Sequence, residues 1–204
     1  MEYLISIIFG YLIGSFPTAF IVLKKKRGID IRNAGSGNVG TLNSYEVTNS
    51  KKIGIAVLVV DMFKGIVSVV FIKMIFDEQF ILPALSLLFA VFGHCYSIWL
   101  KFKGGRGLAT AAGGALVLSP IILVIWGTSW IIVQKWKKDI HIANISATIL
   151  TLSSAIIFSQ YLNVISFPPA ETSFIYGFSI SLLMLIILSK HWQPFLEIMK
   201  RNNR

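Results

Sequence analysis

Two glycine-rich segments of this sequence carry residue types that bind phosphate. The first, residues 35–40, reads Gly-Ser-Gly-Asn-Val-Gly. Closely spaced glycines let successive backbone N–H groups converge on one anion. Thr41 follows where a helix could begin, and the N-terminus of a helix favours phosphate. The residues of this segment that we predict to bind phosphate are Gly35, Gly37, Asn38, Gly40 and Asn43.

The same six residues match the GxGxxG pattern of dinucleotide-binding proteins. That interpretation requires a preceding strand and a βαβ unit, whereas these residues lie between segments apolar enough to cross a membrane. We therefore reject a dinucleotide site. Taken alone, the segment is compatible with either phosphate binding or an ordinary flexible connector.

The second segment, residues 103–107, reads Lys-Gly-Gly-Arg-Gly. Arg106 can grip a phosphate with its planar guanidinium, and Lys103 can act as a point charge. The Walker A pattern GxxxxGK[ST] is absent from the sequence. Anchoring of an adjacent membrane span is the alternative role for these charges. The residues predicted to bind phosphate here are Gly104, Gly105, Arg106 and Gly107.

Three ionisable side chains interrupt or end the apolar segments. Asp61 and Lys64 are three residues apart, on one face of a predicted helix. Ionisable groups are costly inside a membrane and usually face the interior of a helix bundle. We interpret the two as a structural ion pair beside a polar cavity, and His94 as a packed or hydrogen-bonded structural residue.

The composition indicates that these residues are positioned by membrane helices. The chain has 204 residues, of which 55% are hydrophobic and only 14% charged, with a mean hydropathy of +0.74. A soluble domain of this size is about 25% charged. The net charge of +10 fits a basic surface over anionic lipid, because no nucleic-acid module accompanies it.

The apolar segments predict an all-α, polytopic membrane helix bundle. A spanning helix needs about 20 apolar residues. Candidate spans are residues 3–23, 53–76, 81–100, 145–162 and 174–189, together with residues 107–133, which Ser119-Pro120 interrupts. We predict that this last stretch forms two short helices, either crossings or a re-entrant hairpin. The chain would then be one membrane-embedded domain, residues 1–204, with seven helices.

The distribution of positive charge predicts the orientation. Of the 19 Lys and Arg residues, 17 fall in five segments, which are residues 24–52, 101–106, 135–138, 190 and 200–204. The complementary connections, residues 1–2, 77–79, 119–120 and 163–173, contain none. Positive loops remain in the cytoplasm. We therefore predict an outer N-terminus, a cytoplasmic C-terminus and both glycine-rich segments on the cytoplasmic side.

Several ordered motifs resemble the PlsY-type bacterial glycerol-3-phosphate acyltransferases, along nearly the whole chain. The matching segments are Gly-Ser-Phe-Pro at 14–17, Asp-Ile-Arg-Asn-Ala-Gly-Ser-Gly-Asn at 30–38, Asp-Met-Phe-Lys-Gly at 61–65, Gly-His at 93–94 and Lys-Phe-Lys-Gly-Gly-Arg-Gly-Leu-Ala-Thr at 101–110. The resemblance implies transfer of a fatty acyl group from acyl phosphate to the 1-hydroxyl of glycerol 3-phosphate, giving lysophosphatidic acid for phospholipid synthesis.

The resemblance also implies the partners and the catalytic residues. Ser36, Lys103 and His191 are the predicted catalytic residues. The expected substrates are acyl phosphate and glycerol 3-phosphate, without cofactor, metal or nucleic acid. The expected location is the bacterial cell membrane, with the active site facing the cytoplasm. Coupling to an enzyme that produces acyl phosphate is expected. The proton of the acceptor hydroxyl would pass to a substrate phosphate or to His191.

Two departures from the family pattern leave alternatives open. The family usually has arginine at the position of Glu46, and asparagine at the position of Pro194. A carboxylate beside two phosphates weakens their binding unless it points away or meets Lys51 or Lys52. The alternatives are a diverged paralogue with another acceptor and a non-catalytic protein that binds or transports phospholipid.

Overall fold

The computed structural model describes residues 1–76 and 79–202, with side chains described as far as residue 196. Its regular elements in these ranges are helical. The α-helices are α1 (Glu2–Ser15), α2 (Thr18–Arg27), α3 (Thr41–Thr48), α4 (Lys51–Ile75), α5 (Ile81–Cys95), α6 (Leu108–Leu118), α7 (Pro120–Lys137), α8 (Ile140–Ile157), α9 (Ser159–Asn163) and α10 (Ser173–Asn202). Two of the segments used to predict the orientation, residues 77–79 and 200–204, include positions outside the described residues.

Within the described residues, five helical stretches are long and apolar enough to cross a membrane. They are Glu2–Arg27, which joins α1 and α2, then Lys51–Ile75, Ile81–Leu100, Ile140–Ile157 and Ser173–Leu196. The third stretch, which contains α5, is the most buried of them. These stretches confirm the predicted all-α membrane class and place α5 at the centre of the bundle.

The apolar stretch of residues 107–133 is broken at Ser119, as the sequence predicts, but the two helices on either side of the break differ in length. Helix α6 has 11 residues, whereas α7 has 18. The prediction of two short helices is therefore correct only for the first. Helix α7 is longer because it continues through Lys135 and Lys137 and ends where Lys138 adopts a left-handed conformation with φ 52°.

Polar groups at the helix breaks find partners inside the bundle. Lys64 Nζ donates to the carbonyl oxygen of Phe16 at 2.8 Å, where α1 gives way to α2. The same ammonium lies 2.6 Å from Asp61 Oδ1. At the α6–α7 break, the Phe167 N–H donates to Leu118 O at 2.8 Å. The predicted ion pair is confirmed, and one of its functions is to satisfy an interrupted helix end.

Glycines allow the helices that carry the site to pack backbone to backbone. Gly10 of α1 lies against the Ser86 backbone of α5. Gly65 of α4 lies against Thr110 of α6, and Gly113 of α6 lies against Met62 of α4. Small residues give such close approach in membranes, where packing rather than the hydrophobic effect drives helix association. The reciprocal glycines therefore fix α6 tightly against α4.

We expect Gly113→Ala to lower the stability of the protein by about 1–3 kcal/mol, because the added methyl overlaps the Met62 carbonyl. Gly127→Ala is the matched control, since a methyl group there meets nothing within 4 Å. Thermal unfolding in detergent measures both variants. Equal melting temperatures for the two variants would contradict the proposed α4–α6 contact.

Candidate active site

A cavity of about 760 Å³ lies between α3, α4, α6, α7, α8 and α10. Its polar lining includes Asn38, Thr41, Lys51, Asp61, His94, Arg106, Asn144 and His191. Its apolar lining includes Ile55, Leu58, Leu108, Trp126 and Trp130. The cavity therefore joins a polar region that carries cations to an apolar region among membrane helices, which suits a ligand with an anionic head and an alkyl tail.

The first glycine-rich segment is held in shape by the buried side chain of Asn43. Its Nδ2 donates to Ala34 O at 3.0 Å and to Asn38 O at 2.9 Å, and its Oδ1 accepts from the Ser36 N–H at 3.0 Å. Gly35 has φ +58°, and a side chain there would overlap the Asn43 amide. Asn43 thus positions the loop, and its phosphate contact stays a prediction.

This network changes which groups of the first segment face an anion. The Ser36 N–H is committed to Asn43, and the Gly37 N–H donates to Ala34 O at 3.1 Å. Ser36 itself is exposed and does not line the cavity. The first N–H groups of the segment therefore bond within the protein rather than pointing at the cavity. The part that lines the cavity is Asn38, Gly40 and Thr41, where α3 begins.

The second segment places its glycines against the end of α5. The Gly105 N–H donates to His94 O at 3.0 Å, and a side chain at Gly104 or Gly105 would overlap His94 or Cys95. Neither glycine lines the cavity. The Gly105 N–H docks the loop on His94, and the phosphate contacts of both glycines stay predictions. Gly107, by contrast, lines the cavity with φ +84° and begins α6.

Two helix N-termini without a side-chain cap, those of α3 and α6, consequently open on the cavity. Thr41 and Leu42 of α3 line it, as do Leu108 and Ala109 of α6. The first N–H groups of a helix have no carbonyl one turn earlier to bond, and the helix dipole adds partial positive charge there. This pair of N-termini is therefore suited to bind phosphate oxygens.

Side-chain cations add to the positive potential. Arg106 lines the cavity, and its Nη1 lies 3.4 Å from His141 Nδ1 on α8. Lys51, at the start of α4, also lines the cavity. Lys103 is exposed and lies outside the lining. The catalytic assignments of Ser36 and Lys103 and the phosphate contact of Arg106 stay predictions.

His191 is buried on α10 and lines the cavity. Its Nδ1 lies 2.9 Å from the carbonyl oxygen of Ile187, one turn earlier. A carbonyl only accepts hydrogen bonds, so this contact places the ring proton on Nδ1 in neutral histidine. Nε2 is then a lone-pair acceptor, and it has no protein partner among the described residues. His191 can therefore accept a proton from a ligand hydroxyl.

The loop before the first segment is fixed by an ion pair. Arg32 Nη2 lies 2.6 Å from Asp30 Oδ2, and the Arg32 N–H donates to Asp30 Oδ1 at 3.1 Å. The side-chain hydrogen bond from Arg32 lowers the pKa of Asp30 to about 2. Asp30 therefore remains ionised at neutral pH, and its partner Arg32 is committed to this turn.

The two residues that depart from the family pattern, Glu46 and Pro194, lie on different helices. Glu46 is exposed on α3 and is absent from the lining, whereas its neighbour Tyr45 belongs to it. Pro194 lies within α10, three residues beyond His191, and the helix continues past it to Asn202. The Glu46 carboxylate therefore does not form part of the anion-binding wall.

Sequence reasoning missed four cavity or near-cavity residues. The sequence indicates Lys51 only as a possible partner of Glu46, and it indicates no role for His141. Trp126 and Trp130 lie four residues apart, on one face of α7. That spacing predicts that the two tryptophans share one face of a helix. Which neighbouring helix they contact depends on how α7 packs against α8.

Comparisons with known proteins agree with this architecture. The sequence model of the family described as glycerol-3-phosphate acyltransferase matches residues 4–201. Relatives named glycerol-3-phosphate acyltransferase from Staphylococcus aureus strains JH9 and Newman are 36% identical over 179 residues, which cover 82% of this chain and 86% of each relative.

The fold is similar to crystal structures of PlsY, an integral membrane glycerol 3-phosphate acyltransferase. The glycerol 3-phosphate form gives a TM-score of 0.81 at 28% identity, and the lysophosphatidic acid form gives 0.79 at 27%. Each match covers 98% of this chain and 93% of the crystallised chain. This chain belongs to the glycerol-3-phosphate acyltransferase family and is an acyltransferase of the PlsY type.

Proposed function

We propose that this protein transfers a fatty acyl group from acyl phosphate to the 1-hydroxyl of glycerol 3-phosphate, giving lysophosphatidic acid. The observation that carries the proposal is one cavity in which two helix N-termini and Arg106 adjoin an apolar wall. Each substrate has a phosphate, and the donor also has an alkyl chain. The cavity offers complementary chemistry to both parts, and family membership supports the acceptor.

The reaction needs no protein nucleophile, because acyl phosphate is already activated. The 1-hydroxyl oxygen attacks the acyl carbonyl, a new C–O ester bond forms, and the bond from the carbonyl carbon to the phosphate oxygen breaks. Holding the two substrates together provides much of the acceleration. Arg106 and the N-termini of α3 and α6 stabilise the negative charge on the leaving phosphate.

The proton of the attacking hydroxyl passes to His191 Nε2 in this proposal. Because Nδ1 contacts Ile187 O, Nε2 is the acceptor nitrogen of a residue that lines the cavity. After the transfer, the imidazolium can return the proton to the departing phosphate. In the competing route, the hydroxyl proton passes directly to a substrate phosphate. Removing the His191 imidazole would then leave kcat unchanged.

We place the protein in the bacterial cell membrane as one domain, residues 1–204, in which α6 and α7 form either two crossings or a re-entrant hairpin. The N-terminus lies outside, the C-terminus lies in the cytoplasm, and the cavity opens to the cytoplasm. Lys135, Lys137 and Lys138 at the end of α7 support this orientation, since positive segments are retained inside. A cytoplasmic opening also gives access to an enzyme that produces acyl phosphate.

Purified protein in lipid, supplied with palmitoyl phosphate and labelled glycerol 3-phosphate, is expected to form labelled lysophosphatidic acid. A PlsY enzyme serves as the positive control under the same conditions. Labelled product with another polyol phosphate but none with glycerol 3-phosphate would identify a paralogue with a different acceptor. Binding of both substrates without any product would identify a non-catalytic protein.

We expect Lys51→Ala to raise the KM for glycerol 3-phosphate about three- to tenfold while kcat changes little, since it removes one partly exposed cation from the cavity wall. Lys52→Ala is the matched control, because Lys52 is also exposed but does not line the cavity. Equal KM values for the two variants would show that Lys51 does not contribute to binding of glycerol 3-phosphate.

Replacing His191 with Ala is expected to lower kcat about a hundredfold or more, because general-base catalysis typically contributes that much. Added imidazole should restore part of the rate if the ring accepts the proton. A raised KM with unchanged kcat, and no effect of imidazole, would instead favour proton transfer to a substrate phosphate. Ser189→Ala is the control, as Ser189 is exposed on the same helix.

A further inference from the structure

Two tryptophans of α7 form a rigid wall of the cavity. Trp126 and Trp130 are stacked, with ring centroids 6.4 Å apart and an interplanar angle of 16°. Both line the cavity. Trp126 lies one helical turn farther than Trp130 from the basic end of α7, which carries Lys135 and Lys137. Trp126 therefore extends the wall toward the membrane interior.

Each indole is fastened to α8 by its N–H group. Trp130 Nε1 donates to Asn144 Oδ1 at 2.7 Å, and Trp126 Nε1 donates to Thr148 Oγ1 at 3.1 Å. The buried Thr148 hydroxyl in turn donates to Asn144 O at 2.7 Å, so its hydrogen is committed and its oxygen faces the indole. A side chain bonded at its polar tip and stacked on its face keeps one rotamer.

A second part of the apolar lining is aliphatic and partly exposed. Ile55 and Leu58 of α4 line the cavity and are 59% and 37% exposed. Because α4 is a membrane-length helix, we expect that exposed surface to face lipid rather than water. The apolar lining of the cavity therefore combines the fixed indoles of α7 with aliphatic side chains of α4.

We propose that Trp126 determines which acyl chains the enzyme prefers, by limiting the space available to the chain beyond Trp130. This inference rests on the proposed function, in which the phosphate of the donor lies near Arg106 and the start of α6. The carbons next to the reacting carbonyl then lie in the same cavity, and the apolar wall is continuous with that region. A fixed ring discriminates between chains because it does not move aside.

The expected size of the effect follows from hydrophobic burial. Each additional methylene that the site accommodates contributes about fourfold in binding. Space opened by Trp126→Leu admits roughly two further methylenes. We therefore expect Trp126→Leu to raise the ratio of kcat/KM for stearoyl phosphate to that for myristoyl phosphate about tenfold. Thr148→Val, which removes the hydrogen bond and keeps the ring, should raise the same ratio by a smaller factor.

Trp136→Leu is the matched control. Trp136 also lies on α7, but it is 74% exposed and outside the cavity lining. Its replacement should leave the ratio within about twofold of that of the unaltered protein. A ratio equally unchanged in Trp126→Leu would overturn the inference, even if transfer to glycerol 3-phosphate is fully active.

A binding measurement separates this inference from the proposed reaction. The chain has five tryptophans, and an alkyl phosphonate brominated near the end of its chain quenches those that it contacts. We expect the quenching to fall in Trp126→Phe and to persist in Trp136→Phe. Quenching through Trp126 without any transfer activity would refute the reaction and retain the alkyl site. Quenching that is equal in both variants would refute the alkyl site.

Discussion

The structure depends on one constraint, which is that backbone polar groups at membrane depth need partners. Each unsatisfied N–H or carbonyl in hydrocarbon costs several kcal/mol, so a helix that breaks inside a bundle needs protein groups at the break. Lys64 meets this requirement at Phe16, and the Phe167 N–H meets it at Leu118. The N-termini of α3 and α6, which have no side-chain cap, instead open on the cavity. The protein therefore leaves its unbonded donors where anionic substrates can satisfy them.

The glycine-rich segments contribute to this arrangement mainly through close approach. Gly35 allows the Asn43 amide to bond three loop backbone groups, and Gly105 lets its own N–H reach His94 O. Both loops are thus tied to helices before any ligand binds. Because these loops are fixed, the N-termini of the helices that follow them have a fixed direction. Dipoles that are already oriented stabilise charge without reorganising during the reaction. The glycines therefore position the loops, while the helix ends and Arg106 would provide the positive charge of the proposed phosphate site.

The relation between sequence and structure differs from element to element. The predicted break at Ser119-Pro120 and the Asp61–Lys64 pair are present, because proline placement and a three-residue spacing are local properties. The sequence underestimates the length of α7, whereas the phosphate contact of Asn43 stays a prediction. Helix α7 continues past its apolar segment because lysines sustain a helix as well as apolar residues do. Asn43 has the same donors whether it binds phosphate or backbone, and only the position of the loop decides which.

The sequence by itself determined the membrane class and the residue types of the anion site, because hydropathy over a span and the order of motifs are properties of the chain alone. It also identified the family, through motifs distributed from Gly14 to Thr110. Only the tertiary structure decided that Lys51 lines the cavity, that Ser36 and Lys103 lie outside its lining, and that the α7 indoles are bonded to α8. These outcomes depend on which faces of different helices meet. Backbone contacts between residues far apart in the sequence, such as Gly65 against Thr110, determine those faces, and no local sequence pattern encodes them.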